Sequence, residues 1–506
     1  MTDRRRERHP GPQGLADADA LATQPRAVIV GAGIAGLTAA TALAERGVIV
    51  DVVEKQDHLG GRVGGWTEHH DGADYAMNRG FHAFFRQYYN LRALLRRVDP
   101  ELRMLTPVED YPLIDGAGRR DTFRGLPRTP PWNALMFALR SPTFRLRDMV
   151  RMDARAAAPL ATVSVPETYH QLDHVDAETF LKNINFPESA RHLAFEVFSR
   201  SFFAEPSQLS AGELATMFHI YFLGSSEGLI FDVANDNFDA SLWNPLRDYL
   251  SHRGVRFAMN TAVRCIDAVG AGFRVHTDAG DAIDADAVVL ATDVAGLQAI
   301  AAQSPRLGNT VWHEQIRQLR NAPPFAVHRL WLDRPVGADR PAFLGTSGHE
   351  PLDNISVLDR YESQAAAWAR RHHGSVVELH SYALNGATPS HEALRQLHKL
   401  YPETASATVV HERVLERNDC PLFTPGTYTR RPQILTPQPG LVLAGDGIRV
   451  DLPVALMERA ATTGWLAANH VLARWGLTGH DLYTVPTRGR SALLRSLALR
   501  EETRTR

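Results

Sequence analysis

A strand, a glycine-rich turn and a helix follow one another early in the chain, and this order constrains the fold most. The apolar run at 27–30 (AVIV) leads into the sequence GAGIAG at 31–36, and an Ala- and Leu-rich stretch then continues to Arg46. A second apolar run ends at Glu54. Apolar runs before and after a glycine-opened helix are typical of a β-α-β unit with a parallel sheet. The sequence therefore predicts a Rossmann-like α/β domain with a dinucleotide site.

The three glycines of this turn have separate physical roles. Gly31 allows the tight turn, Gly33 allows the backbone to approach a pyrophosphate, and Gly36 allows the helix to pack closely on the sheet. The helix N-terminus directs its positive dipole end at the phosphates. Glu54, at the end of the second strand, is placed to accept hydrogen bonds from ribose hydroxyls. The cofactor contacts predicted here are Gly31, Gly33, Ile34, Ala35, Gly36, Glu54 and Lys55.

A second glycine loop follows the acidic residue and selects the cofactor. The sequence LGGR at 59–62 resembles the signature of the amine oxidase and phytoene desaturase superfamily of FAD enzymes. The loop gives a second close backbone approach at Gly61, and it places Arg62 near the pyrophosphate or the flavin. The resemblance therefore implies that the dinucleotide is FAD.

The other end of the chain supplies the rest of the predicted FAD site. A short apolar strand runs into Gly445-Asp446, and a helix rich in small residues follows the segment 451–458. In the superfamily, such an Asp lies near the ribityl and phosphate groups, and the helix N-terminus points at the flavin. The further contacts that the resemblance implies are Gly80, Phe81, Val263 (near the adenine), Gly445, Asp446, Leu452, Pro453, Ala455 and Leu456.

Because both ends of the chain contribute to one nucleotide site, the fold is expected to be interleaved. We expect a Rossmann-like FAD-binding domain of the amine-oxidase type, interleaved with a mixed α+β substrate domain. The predicted divisions are a disordered basic tail (1–24), FAD-binding segments (26–85, 238–299 and 433–475), substrate segments (86–237 and 300–432) and a C-terminal tail (476–506).

Composition excludes several function classes. The formal net charge of −2 gives no signal for a nucleic-acid partner. The two cysteines, Cys265 and Cys420, lie far apart, which argues against a disulfide scaffold or a metal centre and fits a reducing cytoplasm. We expect no signal peptide and no membrane-spanning helix. Peripheral membrane contact remains open, because the segments 130–155 and 491–506 mix apolar and cationic residues.

Two blocks rich in Phe, Tyr, Leu and Met, at 78–113 and 194–228, suggest walls for a long apolar ligand or, alternatively, an aromatic core seam. Their sequences GFHAFFRQYYNLR and FEVFSRSFFAEP, with RVDLPVALMERAATTG and VPTRGR, resemble the β-carotene desaturase/methylase (isorenieratene synthase) family over nearly the whole chain. The resemblance implies a carotenoid substrate whose β-ionone ring loses four hydrogens while one geminal methyl migrates, giving an aromatic ring.

Such chemistry calls for a base and for apolar walls that exclude water. His82 is the first candidate base, because its ordinary pKa suits proton transfer at neutral pH. Glu205 and Asp232 are acids set among aromatic residues, where burial would raise their pKa values. The candidate substrate walls are Phe84, Phe85, Tyr88, Phe202 and Phe203.

Three other functions remain open at this point. The chain could be a flavin amine oxidase, an FAD enzyme that desaturates or isomerises another polyene, or a non-catalytic escort protein of this fold. The sequence contains no second glycine fingerprint between a strand and a helix, so no nicotinamide site is predicted. The electron acceptor is therefore left unassigned.

Overall fold

The computed structural model describes residues 3–130, 132–143, 153, 155–187, 202–386 and 390–489. Within them the strands are β1 (Glu7–His9), β2 (Arg26–Val30), β3 (Ile49–Val53), β4 (Gly65–His70), β5 (Ala73–Asn78), β6 (Phe84–Phe85), β7 (Leu105–Pro107), β8 (Leu113–Ile114), β9 (Arg120–Asp121), β10 (Phe231–Ala234), β11 (Arg256–Ala258), β12 (Val263–Val269), β13 (Gly272–Thr277), β14 (Ala282–Ala285), β15 (Ala287–Leu290), β16 (Phe325–Leu332), β17 (Phe343–Thr346), β18 (Asn354–Val357), β19 (Ser375–Ser381), β20 (Val409–Arg417), β21 (Leu441–Leu443) and β22 (Leu482–Thr484).

The α-helices of the same residues are α1 (Ile34–Ala44), α2 (Tyr89–Leu95), α3 (Trp132–Arg140), α4 (Ala158–Ala161), α5 (Glu167–Leu172), α6 (Ala177–Asn183), α7 (Ala211–Phe218), α8 (Asn244–Ser251), α9 (Val294–Gln303), α10 (Thr310–Arg317), α11 (Ser363–His372), α12 (Ser390–Leu400) and α13 (Leu456–Arg474). Two π-helical turns, His219–Leu223 and Asp239–Trp243, adjoin α7 and α8.

A five-stranded parallel sheet holds the glycine loops at its carboxyl edge. Its order is β11-β3-β2-β15-β21, and the neighbouring strands are parallel. The strands come from three separated parts of the chain, near the start, the middle and the end. The central strands β2 and β15 are apolar and almost fully buried, as expected for a parallel sheet covered on both faces. The sheet therefore brings together the start and the end of the chain, which both carry predicted FAD contacts.

Helices α1 and α13 pack directly against each other beside this sheet. All residues of α1 are buried, and most of them are small. A Cβ at Gly464 of α13 would lie 2.4 Å from the carbonyl oxygen of Ala35, so only glycine permits this approach. Small residues on both helices therefore bring the start and the end of the chain into one core.

A seven-stranded sheet forms the second layer and is mixed rather than parallel. Its order is β20-β16-β19-β18-β17-β8-β9, with long antiparallel pairs between β16 and its two neighbours. Strands β8 and β9, the last two at one end of this sheet, come from the predicted substrate segment 86–237. The sheet supplies buried polar side chains, which are described with the site.

Residues 3–24 hold a defined arrangement against the rest of the protein, so the expectation of a disordered tail over this stretch is wrong. Strand β1 pairs with β22 in an antiparallel ladder, and the Glu7 carboxylate accepts hydrogen bonds from the backbone and side chain of Thr487. Asp3 accepts a hydrogen bond from the backbone of Ser226 at 2.8 Å. Charged residues of this predicted tail thus have specific partners, Asp3 on the middle of the chain and Glu7 on the C-terminal segment.

Among the described residues, no helix has the length and apolar character needed to cross a membrane.

Candidate active site

The first glycine loop has the geometry expected of a pyrophosphate cradle. Gly31 has φ +100°, and a Cβ there would lie 2.6 Å from the carbonyl oxygen of Ala291. A Cβ at Gly36 would lie 1.9 Å from the carbonyl oxygen of Gly31, so both positions are closed to any side chain. In contrast, a Cβ at Gly33 would meet nothing within 4 Å. Gly33 therefore faces open space, as the predicted close approach to a phosphate requires.

The second glycine loop is hydrogen-bonded to the first. The backbone N–H of Gly60 donates to the carbonyl of Ala32 at 2.9 Å, and a Cβ at Gly61 would lie 3.2 Å from the Cα of Gly33. Both glycines have positive φ, 90° and 57° respectively. The two loops therefore form one surface of exposed backbone at the N-terminus of α1.

This surface fits a dinucleotide. Helix α1 has no side-chain cap, so its first N–H groups are free to bind phosphate. The buried Glu54 carboxylate accepts hydrogen bonds from the backbone N–H groups of Ala32 and Gln56 at 2.7 and 2.9 Å, so it is fixed beside the loop. The backbone of Thr261, two residues before Val263, donates to the carbonyl of Glu54 at 2.9 Å. The predicted ribose and adenine positions are therefore adjacent.

Arg62 and Asp446 extend the same site from opposite ends of the chain. Arg62 Nη1 donates to Asp446 Oδ2 at 2.9 Å, and Nη2 donates to Oδ1. Asp446 follows Gly445, whose N–H donates to Thr463 Oγ1 on α13 at 2.9 Å. Arg79, in comparison, forms a two-bond pair with Asp419 at 2.8 and 2.9 Å.

The segment before α13 leads into a second free helix N-terminus. Ala455, the N-cap residue, makes no side-chain cap, and Leu456 has φ +53°, which is uncommon for a non-glycine residue. The loop residues Leu452 and Pro453 precede it. Local strain of this kind often accompanies ligand-holding backbone.

His82 lies at the wall of a cavity of about 10 Å³, close to the space of one water molecule. Its Nδ1 lies 2.9 Å from the carbonyl oxygen of Gly80. Since a carbonyl can only accept, Nδ1 carries the proton and Nε2 keeps its lone pair in the neutral ring. Burial lowers the pKa of His82 to about 4, so the ring is neutral at physiological pH.

The two acidic candidates do not join His82. Glu205 is exposed rather than set among aromatic side chains, so its selection as a buried acid is wrong. Asp232 is buried, but it is held by the guanidinium groups of Arg86 and Arg92. Asp232 lines a different cavity together with Arg86 and Arg92, and it is not among the residues that line the His82 cavity. Asp232 is therefore placed as an ion-pair partner, away from this cavity.

The candidate substrate walls divide into core and accessible residues. Phe84, Tyr88 and Phe202 are 0, 1 and 2% exposed, so they have no free surface to offer a ligand. Phe85 and Phe203 are only partly buried. Residues 194–201, the first part of the block at 194–228, lie outside the described residues.

A group of buried polar residues at this cavity was not singled out from the sequence. Glu362 and Glu378 line it together with His82, and Arg329 on β16 lies between the two carboxylates. The alternation of β19 (SVVELHS) places Glu378 and His380 on one face, and this was the available signal.

These features, a β-α-β dinucleotide cradle with a second glycine loop and an uncapped helix from the C-terminal segment, define a flavin-binding oxidoreductase. The chain belongs to the flavin containing amine oxidoreductase family, whose profile matches residues 34–472. It is an FAD-dependent oxidoreductase, and the predicted fold class and cofactor are confirmed.

The most informative similarities narrow this class further. The chain is 57% identical to the carotenoid phi-ring synthase of Streptomyces griseus, over 94% of this chain and 93% of that protein. It is 27% identical to the carotenoid phi-ring synthase of Chlorobaculum tepidum, over 93% of this chain and 92% of that protein. The predicted resemblance to a carotenoid ring-modifying family is confirmed.

A solved structure agrees with the fold. Cyclohexylamine oxidase from Brevibacterium oxydans IH-35A covers 90% of this chain and all of its own length, with a TM-score of 0.65 at 16% sequence identity. At this identity the likeness concerns the fold alone.

Proposed function

We propose that this enzyme desaturates the β-ionone ring of β-carotene and moves one geminal methyl group to the neighbouring carbon, which gives an aromatic trimethylphenyl end group. The relatives named carotenoid phi-ring synthases, which match along almost the whole chain, support this assignment. Bound FAD supplies the acceptor for hydride from the ring. Per ring, two hydrides and two protons leave, and no methyl donor is needed.

A row of aromatic side chains beside His82 is the structural observation that carries the proposal. The ring of Phe81 lies 5.9 Å from that of Phe231, and Phe231 lies 4.7 Å from Tyr111. Tyr111 stacks on Phe123 at 4.2 Å, and Phe123 stacks on Phe137 of α3 at 4.7 Å. The row joins the His82 cavity to the surface helix α3. Phe231, Tyr111, Phe123 and Phe137 are only 3–8% exposed and pack on one another, so they form a dry apolar wall behind the partly buried Phe81 rather than an open channel. Such a wall suits an apolar end group that meets the site at Phe81.

The same rings suit a cationic reaction. Loss of hydride leaves an allylic cation, and aromatic faces stabilise a nearby cation by about 0.5–2 kcal/mol each. Apolar walls exclude water that would trap the cation before the methyl shift. Nε2 of His82, the free nitrogen, is oriented by the Gly80 carbonyl to take the proton that is lost last.

Expression in a β-carotene-producing bacterium tests the proposal. Chromatography with mass detection should find a pigment four or eight hydrogens lighter than β-carotene, with an aromatic end group, and a His82→Ala chain should yield FAD-loaded protein without it. If β-carotene is unchanged although the wild-type protein is yellow with bound FAD, the assignment of β-carotene as the substrate is wrong. In that case, hydrogen peroxide release on adding amines would identify an amine oxidase, and altered pigments from other polyenes would identify another carotenoid desaturase or isomerase.

We also propose that α3 makes peripheral contact with a lipid surface, where an apolar substrate resides. Trp132, Leu135 and Leu139 occupy one face of the helix and are 57, 38 and 54% exposed. Phe137, on the opposite face, is buried at the end of the aromatic row. Exposed apolar residues with Arg140 at the helix end are typical of an interfacial segment. The other basic apolar segment, 491–506, lies outside the described residues.

A further inference from the structure

A buried carboxyl group, Glu362, lines the same cavity as His82. Its side chain is 6% exposed, and it lies at the N-terminus of α11 without capping that helix. It accepts a hydrogen bond from Asn78 Nδ2 at 2.9 Å. The Asn78 side chain in turn accepts from the backbone of Phe238, another cavity residue, at 2.9 Å. Glu362 is therefore fixed at the cavity by a residue only four positions before His82.

Glu362 shares one arginine with a second carboxylate. Arg329, which is 1% exposed, donates from Nε and Nη2 to Glu378 Oε2 at 2.9 and 2.7 Å. Its Nη1 lies 3.8 Å from Glu362 Oε2 and donates instead to the carbonyl of Ala76 at 2.8 Å. The guanidinium is thus directed at Glu378, and Glu362 receives only the weaker, more distant attraction.

The remaining groups around this pair complete its charge balance. His380, on β19, lies 2.7 Å from Glu378 Oε1 through Nε2 and 2.8 Å from the Tyr382 hydroxyl through Nδ1. Tyr361 lines the cavity beside Glu362, and the charge of Asp236 acts on Glu362 from the loop after β10. Glu378 therefore has two strong partners, whereas Glu362 faces one distant cation and two further acids.

The two carboxyl groups titrate in different ranges because their surroundings differ. Burial would raise the pKa of Glu378, but Arg329 and the His380 hydrogen bond lower it to about 2. For Glu362, burial outweighs the attraction of Arg329 and raises the pKa to about 7. A pair of acids whose environments separate their pKa values in this way is a recurrent feature of acid–base sites.

We propose that Glu362 is the acceptor of the protons released during ring aromatisation, reached across the cavity that it shares with His82. The inference rests on the proposed function for the identity of the substrate. It gives Glu362 a role that His82 does not fill, because a neutral ring of low basicity can pass a proton on at neutral pH but does not retain it. Arg329 and Glu378 act as positioning residues, because their ion pair holds the guanidinium away from Glu362 and leaves the Glu362 carboxylate able to accept a proton.

The proton step balances without a further reactant. A C–H bond of the cationic ring breaks, and its electron pair forms the new C=C bond. The proton passes to the lone pair of His82 Nε2 and then to the carboxylate of Glu362, which becomes a neutral carboxylic acid. The group returns to its charged form by losing the proton to solvent after each desaturation.

The first test compares the pH dependence of three proteins as FAD-loaded enzymes. Single-turnover conversion of β-carotene by the wild type should rise with pH through about 7, because protonated Glu362 accepts nothing. Glu362→Gln should lose this rise and react at least tenfold more slowly above pH 7. Glu45→Gln is the matched control, since Glu45 is also a mostly buried acid, 14% exposed and paired with Arg97. It should keep the wild-type profile, and an unchanged profile in Glu362→Gln would overturn the proposal.

A second measurement needs no carotenoid and so separates this proposal from the assignment of the substrate. Infrared titration of the wild type minus Glu362→Gln should reveal a protonated-carboxyl band that disappears between about pH 6 and 8. The subtraction is necessary because Glu458 also has a raised pKa. Absence of this difference band would overturn the proposal. If the band is present but β-carotene does not react, the role of Glu362 as a proton acceptor is supported and the assignment of β-carotene as the substrate is wrong. If Glu362→Gln does not fold, Glu362→Asp replaces it: this variant keeps a carboxyl group, and the pH midpoint of the infrared band should shift.

Discussion

Arg62 and Asp446 are 384 residues apart in the chain and form a two-bond ion pair beside the glycine loops. Their side chains are 28 and 15% exposed, so neither charge is fully solvated. The pair links the second glycine loop, from the start of the chain, to the Gly-Asp turn before α13. The pair therefore adds a direct side-chain contact between the two halves of the FAD site to the sheet pairing and the α1–α13 packing that already join them.

Breaking this pair should weaken FAD binding. In Arg62→Ala, Asp446 keeps its charge without its partner, and we expect at least a tenfold weaker FAD complex and a lower melting temperature. Removing one member of a buried pair costs about 3–5 kcal/mol, and partial exposure reduces this. Flavin content per chain and thermal unfolding measure the two effects. Arg274→Ala, which breaks the exposed Arg274–Asp284 pair, should change neither, and equal effects of the two variants would contradict this expectation.

Two glycines of the first loop should respond differently to alanine. Gly33→Ala should fold normally, since its Cβ meets no atom within 4 Å and its φ of −75° suits any residue. The methyl group would nevertheless occupy the space of the pyrophosphate, so the protein should be isolated colourless. Gly36→Ala should be recovered poorly, because its Cβ would lie 1.9 Å from a backbone oxygen. Absorbance at the flavin band and yield of soluble protein measure both outcomes. A yellow Gly33→Ala protein would contradict the assigned contact.

The sequence allowed the FAD site to be predicted because its signals are local. Gly31, Gly33 and Gly36 lie within one turn, and their spacing alone determines a close backbone approach and a helix N-terminus. Each half of the Arg62–Asp446 pair was predicted to contact FAD. Their ion pair was not, since no local pattern specifies the distance between segments so far apart.

The substrate side of the site depends on the direction in which each side chain points. The identities of adjacent residues in the sequence do not determine that direction. Phe84 and Phe85 are adjacent, yet one is core and the other partly accessible, because β6 directs them to opposite faces. Glu205 follows two phenylalanines but points to solvent. Glu362 was missed because Arg329, which selects between the two carboxylates, belongs to a distant strand.

His82 should be needed for chemistry and not for binding. His82→Ala should retain FAD and lose about 10²–10⁴-fold in aromatisation rate, the range for loss of a general base. Because burial lowers its pKa to about 4, His82 should contribute no change in rate between pH 6 and 9. Single-turnover rates of the wild type and His82→Ala measure the loss, and the rates of Glu362→Gln, which lacks the other titrating acid, should stay constant across this pH range. Wild-type turnover in His82→Ala would remove this residue from the mechanism.

Glu458 should make the folded state less stable as the pH rises. Its carboxyl accepts hydrogen bonds from the backbone of Asn90 and Leu91 at 2.8 and 2.9 Å, and burial raises its pKa to about 8. Since the ordinary value is 4.5, the unfolded chain loses this proton first as the pH rises. The stabilisation of the folded state by protonated Glu458 is therefore fully present below about pH 4.5 and is lost by about pH 8.

Comparison with Glu458→Gln isolates this effect. The free energy of unfolding of the wild type relative to the variant should fall between pH 5 and 8, by an amount on the order of 1–3 kcal/mol. Denaturant unfolding at several pH values measures the difference. Glu416→Gln, which changes an exposed Glu side chain on β20, serves as control and should show little pH-dependent difference. A constant gap between wild type and Glu458→Gln would show that this group does not titrate as expected.

The exposed face of α3 should decide whether the enzyme reaches a lipid-held substrate. Replacing Trp132 and Leu139 by serine removes the two most exposed apolar side chains of the helix, and sedimentation with anionic phospholipid vesicles should fall at least fivefold. Conversion of β-carotene held in vesicles should fall in parallel, while conversion of detergent-solubilised β-carotene should be unchanged, because Phe137 and the aromatic row are untouched. Val311→Ser, at a similarly exposed position on α10 with 66% exposure, is the matched control. Equal vesicle binding by the α3 variant and this control would show that the protein uses another surface.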